Sequence, residues 1–158
     1  MTSKPPQTPP PSPAPPGRVA GVDFGMVRIG VALSNPERTV ASPFESYNRR
    51  GPKLDAEWFQ RLAEEEDVRL IVVGLPLYLD GKESPKSAQA RRFAAWLHEA
   101  TGLPVELFDE RFTTVEAEHI LQDAKLTSGR RKRRRDMLAA QIILAGYLEA
   151  TGPGGSLQ

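Results

Sequence analysis

Asp23 interrupts an apolar run, Val19-Ala20-Gly21-Val22, that otherwise reads as a plain buried strand. A carboxylate in that setting is costly unless it binds a cation or is met by hydrogen-bond donors. Glycines at 21, 25 and 30 keep the backbone beside it open, so a ligand can approach closely. The same pattern suits an Asp that only bonds the amides of its own turn. A strand-turn-strand carrying Asp23-Phe24-Gly25 is used both by phosphate-binding ATPases and by metal-dependent nucleases, so this stretch alone does not choose. Further acids stand at comparable places: Asp109-Glu110 after Val105–Phe108, and Asp136 ahead of a long apolar stretch. Asp80, followed by Gly81, is a reserve candidate, though Asp-Gly is more often simply a turn.

The second feature is a run of cations. The net charge of +1 conceals seven basic residues and no acid between 125 and 135, which leaves 14 basic against 20 acidic elsewhere. Arg130, Arg131, Lys132, Arg133, Arg134 and Arg135 form a concentrated positive patch on an acidic body, directly against Asp136. A solvated loop is the bland reading. Six adjacent cations repel one another, however, and phosphates bound with counterion release relieve that repulsion. With only two histidines and no cysteine, histidine-based catalysis, thiolate chemistry and a disulfide framework all lack material.

The elements that must position these residues follow from periodicity. Arg18–Leu33 gives two strands joined by a tight glycine-containing turn, and Thr39–Tyr47 a weaker third strand broken by Pro43. Leu54, Trp58, Phe59 and Leu62 recur at helical spacing. Arg69–Gly74 is a continuous apolar strand of the kind buried on both faces, running into the turn Leu75–Gly81. Ser84-Pro85 caps a helix that turns Ala90, Phe93, Ala94 and Leu97 inward and stops before Gly102 and Pro104. After the strand Val105–Phe108, Thr113 and Glu116 make a capping box for a helix bearing Ala117, Ile120 and Leu121. The last helix, Asp136–Ala150, is apolar almost all round.

Three early strands followed by alternating helices and strands predict an α/β fold with a mixed sheet flanked by helices. Ligands of such sheets bind beyond the carboxyl ends of the parallel strands, where Asp23, the 74–81 turn and Asp109-Glu110 all fall. Residues 18–150 are expected to form one domain. Residues 1–17, with eight of the fifteen prolines, are expected to be a disordered tail, and 151–158 a flexible end. No signal-peptide pattern or membrane-length apolar stretch is present, which points to a cytoplasmic protein without membrane contact.

Four segments together resemble one family. Gly21-Val22-Asp23-Phe24-Gly25-Met26-Val27-Arg28-Ile29-Gly30, Val73-Gly74-Leu75-Pro76-Leu77-Tyr78-Leu79-Asp80-Gly81, Asp109-Glu110-Arg111-Phe112-Thr113-Thr114 and Asp136-Met137-Leu138-Ala139-Ala140 are similar to motifs of the YqgF family, also called RuvX. Its members are regarded as Holliday-junction resolvases and as nucleases that trim precursor ribosomal RNA. The resemblance runs over residues 18–150 in the family's order. It implies a ribonuclease-H-like fold with a mixed five-stranded sheet. Two departures stand out: Met26-Val27-Arg28 replaces a common Thr-Lys, and Phe112 replaces a usual Leu. Neither touches a carboxylate.

The resemblance implies a nuclease whose carboxylates hold two divalent ions about 3.5–4 Å apart. Asp23 would bridge them, with Glu110 and Asp136 on either side. Hard oxygen ligands suit Mg²⁺ or Mn²⁺. Asp109 and Glu110 point to opposite faces of a strand, so only one can reach Asp23; the resemblance favours Glu110. Arg28 is expected to contact phosphate, as are residues 130–135, and Arg111 either binds phosphate or pairs with Asp109. The expected partner is structured nucleic acid, bound by a monomer or a homodimer. Two readings from other classes remain. An actin- or sugar-kinase-type ATPase would need a second such domain and another glycine-rich loop. A nucleic-acid-binding assembly factor without turnover would not need intact carboxylates.

Overall fold

The computed structural model describes residues 16–112 and 131–152. The proline-rich segment 1–15, the expected helix after Thr113, Arg130 and residues 153–158 lie outside that range. Strands β1 (Arg18–Asp23), β2 (Arg28–Ser34), β3 (Ala41–Asn48), β4 (Val68–Leu75) and β5 (Val105–Asp109) alternate with helices α1 (Pro52–Glu65) and α2 (Pro85–Thr101). Helix α3 (Arg131–Thr151) closes the described chain. The five strands form one sheet in the order β3-β2-β1-β4-β5. β1, β2 and β3 pair antiparallel, whereas β1-β4 and β4-β5 are parallel. Pro43 is accommodated because β3 is an edge strand whose register slips between Val31 and Ala32.

Side-chain alternation divides the sheet between two cores. Ala20, Val22, Ile71 and Val73 face α1 and α2, packing on Phe59, Leu62, Phe93 and Leu97. Val19, Ala32, Leu70 and Val72 face α3, meeting Ala140, Ile143, Leu144 and Leu148. Ser84 caps α2 through a reciprocal bond with Ser87, and Gly102 ends it in the left-handed region at φ 72°. In α1 the spacing misleads at one point. Leu54 is 42% exposed, while the neighbouring Asp55 is fully buried.

The final helix already includes the five residues before Asp136, its expected start. Residues 131–135 of the basic run are therefore helical rather than a loop, and Asp136 follows them in the same helix. Among the described residues no acid occupies the first turn, where cations oppose the positive end of the helix dipole.

Close approach of α3 to the sheet depends on Gly30. A methyl there would collide with the Asp136 carbonyl. Gly30→Ala should destabilise the protein by about 1–3 kcal/mol through overpacking, measured as a lower urea midpoint. An unchanged midpoint would show that α3 is free to shift.

Candidate active site

Register places the acids. Asp23 ends β1 opposite Gly30 of β2, and its neighbour Val22 pairs with Val73 of β4. Counting along β1 from Val19, which faces α3, Asp23 falls on the α3 side of the sheet. Phe108 of β5 also faces α3, so Asp109 falls on the opposite side. Glu110 comes back toward Gly74, where an added Cβ would stand 2.8 Å from its Oε1 and 2.5 Å from Ile143 Cδ1. Gly74 thus leaves the space that lets Glu110 approach the end of β1. Asp23 and Glu110 line one cleft of about 380 Å³, together with Gly74, Pro76, Lys86 and Gln89.

Asp109 is occupied elsewhere. Its carboxylate accepts from Arg111 Nη2 at 2.6 Å and Nε at 3.0 Å, which holds it below the usual carboxylate range. Arg111 also donates through Nη1 to the Leu79 carbonyl at 3.2 Å, strapping the end of β5 to the 75–81 turn. Of the two roles expected for Arg111, the structure builds the pair with Asp109. Asp80 accepts from the Lys82 amide at 2.9 Å and is an exposed turn residue.

Asp136 reaches the rim from α3. Its Oδ2 accepts from Arg28 Nε at 2.8 Å and from Ser46 Oγ at 3.0 Å. Arg28, expected at phosphate, is here the partner of a carboxylate. The reason is proximity: β2 and α3 lie in contact where Gly30 has no side chain. Lys132 to Arg135 are exposed on the first turns of the same helix. Lys132 and Arg133 stand four and three residues before Asp136, hence on its face.

The electrostatics single out Asp23. Among the described residues no donor hydrogen-bonds its carboxylate. Burial, then Glu110, then Asp136 push its pKa from 3.8 to about 7, against a smaller opposing pull from Lys86. Burial, and then Asp109, also raise Glu110, which Lys86 again opposes. A desolvated acid with acidic neighbours and no donor fits a hard cation by the chemistry of its donor set. Among the described residues, however, no three acidic or histidine side chains are already drawn together around one point. Asp136 is held back by Arg28.

Two residues of this region escaped the sequence reading. Lys86 sits at the start of α2, a position a helix dipole disfavours for a cation, and that misfit is a readable signal. Asp55, buried at the start of α1, accepts from Tyr47 Oη at 2.6 Å, the Arg50 amide at 2.8 Å and Arg49 Nε at 3.2 Å. Burial alone would raise it, but these donors outweigh burial and lower its pKa. Nothing in its spacing announces that role.

A family model described as "RuvX: Holliday junction resolvase" matches residues 17–150. The chain belongs to the RuvX family. It is 50% identical over 141 residues to a protein of Rhodopirellula baltica named "Putative pre-16S rRNA nuclease", covering 89% of this chain and 82% of that one. A protein of Koribacter versatilis with the same name is 40% identical over 136 residues, covering 86% and 89%. Among solved structures, T. thermophilus RuvC in complex with a Holliday junction substrate superposes with TM-score 0.54 at 16% identity, covering 83% of this chain and 94% of that one. The ribonuclease-H-like fold expected from the motifs is therefore the fold of this RuvX chain. Its activity class is that of its family, a nuclease.

The Asp23 shift has a stability consequence. A carboxyl whose pKa rises on folding contributes stability that is complete below pH 3.8 and lost as pH rises through about 7. In chelator at pH 8, Asp23→Asn should therefore be more stable than wild type by about 1–3 kcal/mol. The gap should shrink as pH falls from 8 to 4. Urea titrations across that range check it, and equal stability at pH 8 would count against a desolvated, ionised Asp23.

Proposed function

We propose that this RuvX-family protein is a divalent-metal-dependent nuclease of the cytoplasm that cleaves precursor ribosomal RNA. The observation that carries the reading is the partly desolvated Asp23, with no donor among the described residues, beside Glu110 at the carboxyl ends of β1 and β5. The named relatives support the RNA substrate. The family's description supports branched DNA as a second substrate.

Asp23, Glu110 and Asp136 would hold Mg²⁺ or Mn²⁺, Asp136 giving up its bond from Arg28. Such ions activate water and stabilise the departing oxygen. The protein's own groups have separate tasks. Lys86 faces both Asp23 and Glu110 across the cleft and offers a charge to the scissile phosphate. Arg28 and Ser46 hold the Asp136 carboxylate at the rim before substrate arrives. Lys132 and Arg133 extend the positive surface one turn from Asp136 and would track the backbone. Arg134, Arg135 and their neighbours Arg130 and Arg131 complete the basic run that, by this reading, holds substrate and does no chemistry.

Labelled precursor RNA and a labelled four-way junction, incubated side by side with Mn²⁺ or with chelator, test the assignment. Wild type should cleave the RNA only with metal, and Asp23→Asn should abolish cleavage while leaving the fold intact. Full activity of that variant would sink the catalytic role.

The helical basic run has its own signature. Five successive helical residues project all round the axis, so only part of the run can follow one strand. Replacing Lys132 and Arg133 by Ala should flatten the slope of log affinity against log salt by about 1.4 for single strands and about 1.8 for duplex. An unaltered slope would remove both residues from the interface.

A further inference from the structure

Beside the catalytic cleft, and sharing Phe24, Met26 and Gln89 with it, lies a second cleft of about 310 Å³ on the α2 side of the sheet. Its wall is a run of aromatic rings. Phe24, the residue after Asp23, stacks on Phe93 at 4.6 Å with 28° between planes. Phe93 stacks in turn on Trp96 at 5.6 Å, again at 28°. Met26, 66% exposed, forms the lip.

Cations frame these rings. Arg49 lies over Phe24 at 5.4 Å, and Arg92 also lines the cleft. Arg49 is not a loose surface side chain, because the buried Asp55 carboxylate holds its Nε, and Asp55 is itself fixed by Tyr47 and the Arg50 amide. A fully buried acid thus orients an arginine whose guanidinium reaches the cleft rather than the core. Trp96 is only partly buried, although core packing alone would favour covering so large an apolar side chain.

The geometry points to a subsite for an unpaired nucleotide, its base against the Met26 and Trp96 surface and its phosphate met by Arg49 and Arg92. Aromatic faces flanked by arginines are what single-stranded nucleic acid uses, because every base has a π-face and every linkage a charge. A volume near 300 Å³ is at the lower end of small-ligand pockets and suits one base. Continuity through Phe24 and Gln89 puts that base next to the bond cleaved at Asp23. The inference rests on the nuclease reading of the neighbouring rim. It adds that the substrate presents at least one unstacked nucleotide beside the cleavage point, as a single-stranded precursor end does and a continuous duplex does not.

Binding in chelator reads this cleft without turnover. The probes are a uniform-sequence single-stranded RNA decamer and a blunt RNA duplex of the same length. The single strand should quench tryptophan fluorescence. Trp96→Leu should weaken its binding about 5- to 100-fold, the range a lost stacking contact gives, and Arg92→Ala should weaken it through the lost phosphate contact, with duplex binding unchanged in both. Met26→Asp, at an exposed lip that folding does not depend on, should weaken single-strand binding by repelling phosphate. Single-strand binding equal to wild type in Met26→Asp and Arg92→Ala would overturn the subsite, and so would an equal loss on duplex. If wild type bound the single strand through this cleft yet cleaved nothing with Mn²⁺, the nuclease reading would fail while the subsite stood.

Discussion

An ionised carboxylate partly withdrawn from water, with acidic neighbours and no hydrogen-bond donor among the described residues, is a standing cost to a fold. Asp23 is that group here. Folding does not need it, since the sheet would close at least as well over an amide. The surroundings make sense as a site whose negative potential is satisfied from outside the chain. The open cleft, the glycines that thin the sheet, and Lys86 set at the unfavourable end of α2 all belong to that one constraint.

Two further constraints decide which acids can join Asp23. Alternation in β5 turns Asp109 away and Glu110 toward the β1 end, and Arg111 locks the rejected acid in place. On the other side of β1, the absence of a side chain at Gly30 lets α3 come down until Asp136 meets Arg28 and Ser46. The arginine keeps three carboxylates from crowding in the protein alone. Its pair with Asp136 is partly exposed on both sides, at 30% and 23%, so exchange for another cation is inexpensive.

The basic run shows local electrostatics overridden by context. Cations in the first turns of a helix oppose its dipole, so local propensity argues against starting α3 at Arg131. The helix extends there because its apolar residues from Ala140 to Leu148 are anchored in the sheet and propagation outward is cheap once a helix is nucleated. The result is a helical, positively charged stem leading to Asp136, where the sequence suggested a loop.

By itself the sequence determined the mixed sheet, the capped α2, the rim position of Asp23 and the family. Each rests on short-range patterns: apolar runs, Ser84-Pro85, Gly102, and motifs read in order. Spacing alone could not choose between Asp109 and Glu110; which of them turns toward Asp23 depends on which face of β5 meets Gly74. Only packing showed that Arg28 belongs to Asp136, across 108 residues of chain, and that Asp55 rather than Leu54 is buried. Periodicity records which positions tend inward; it does not record what waits there to receive them.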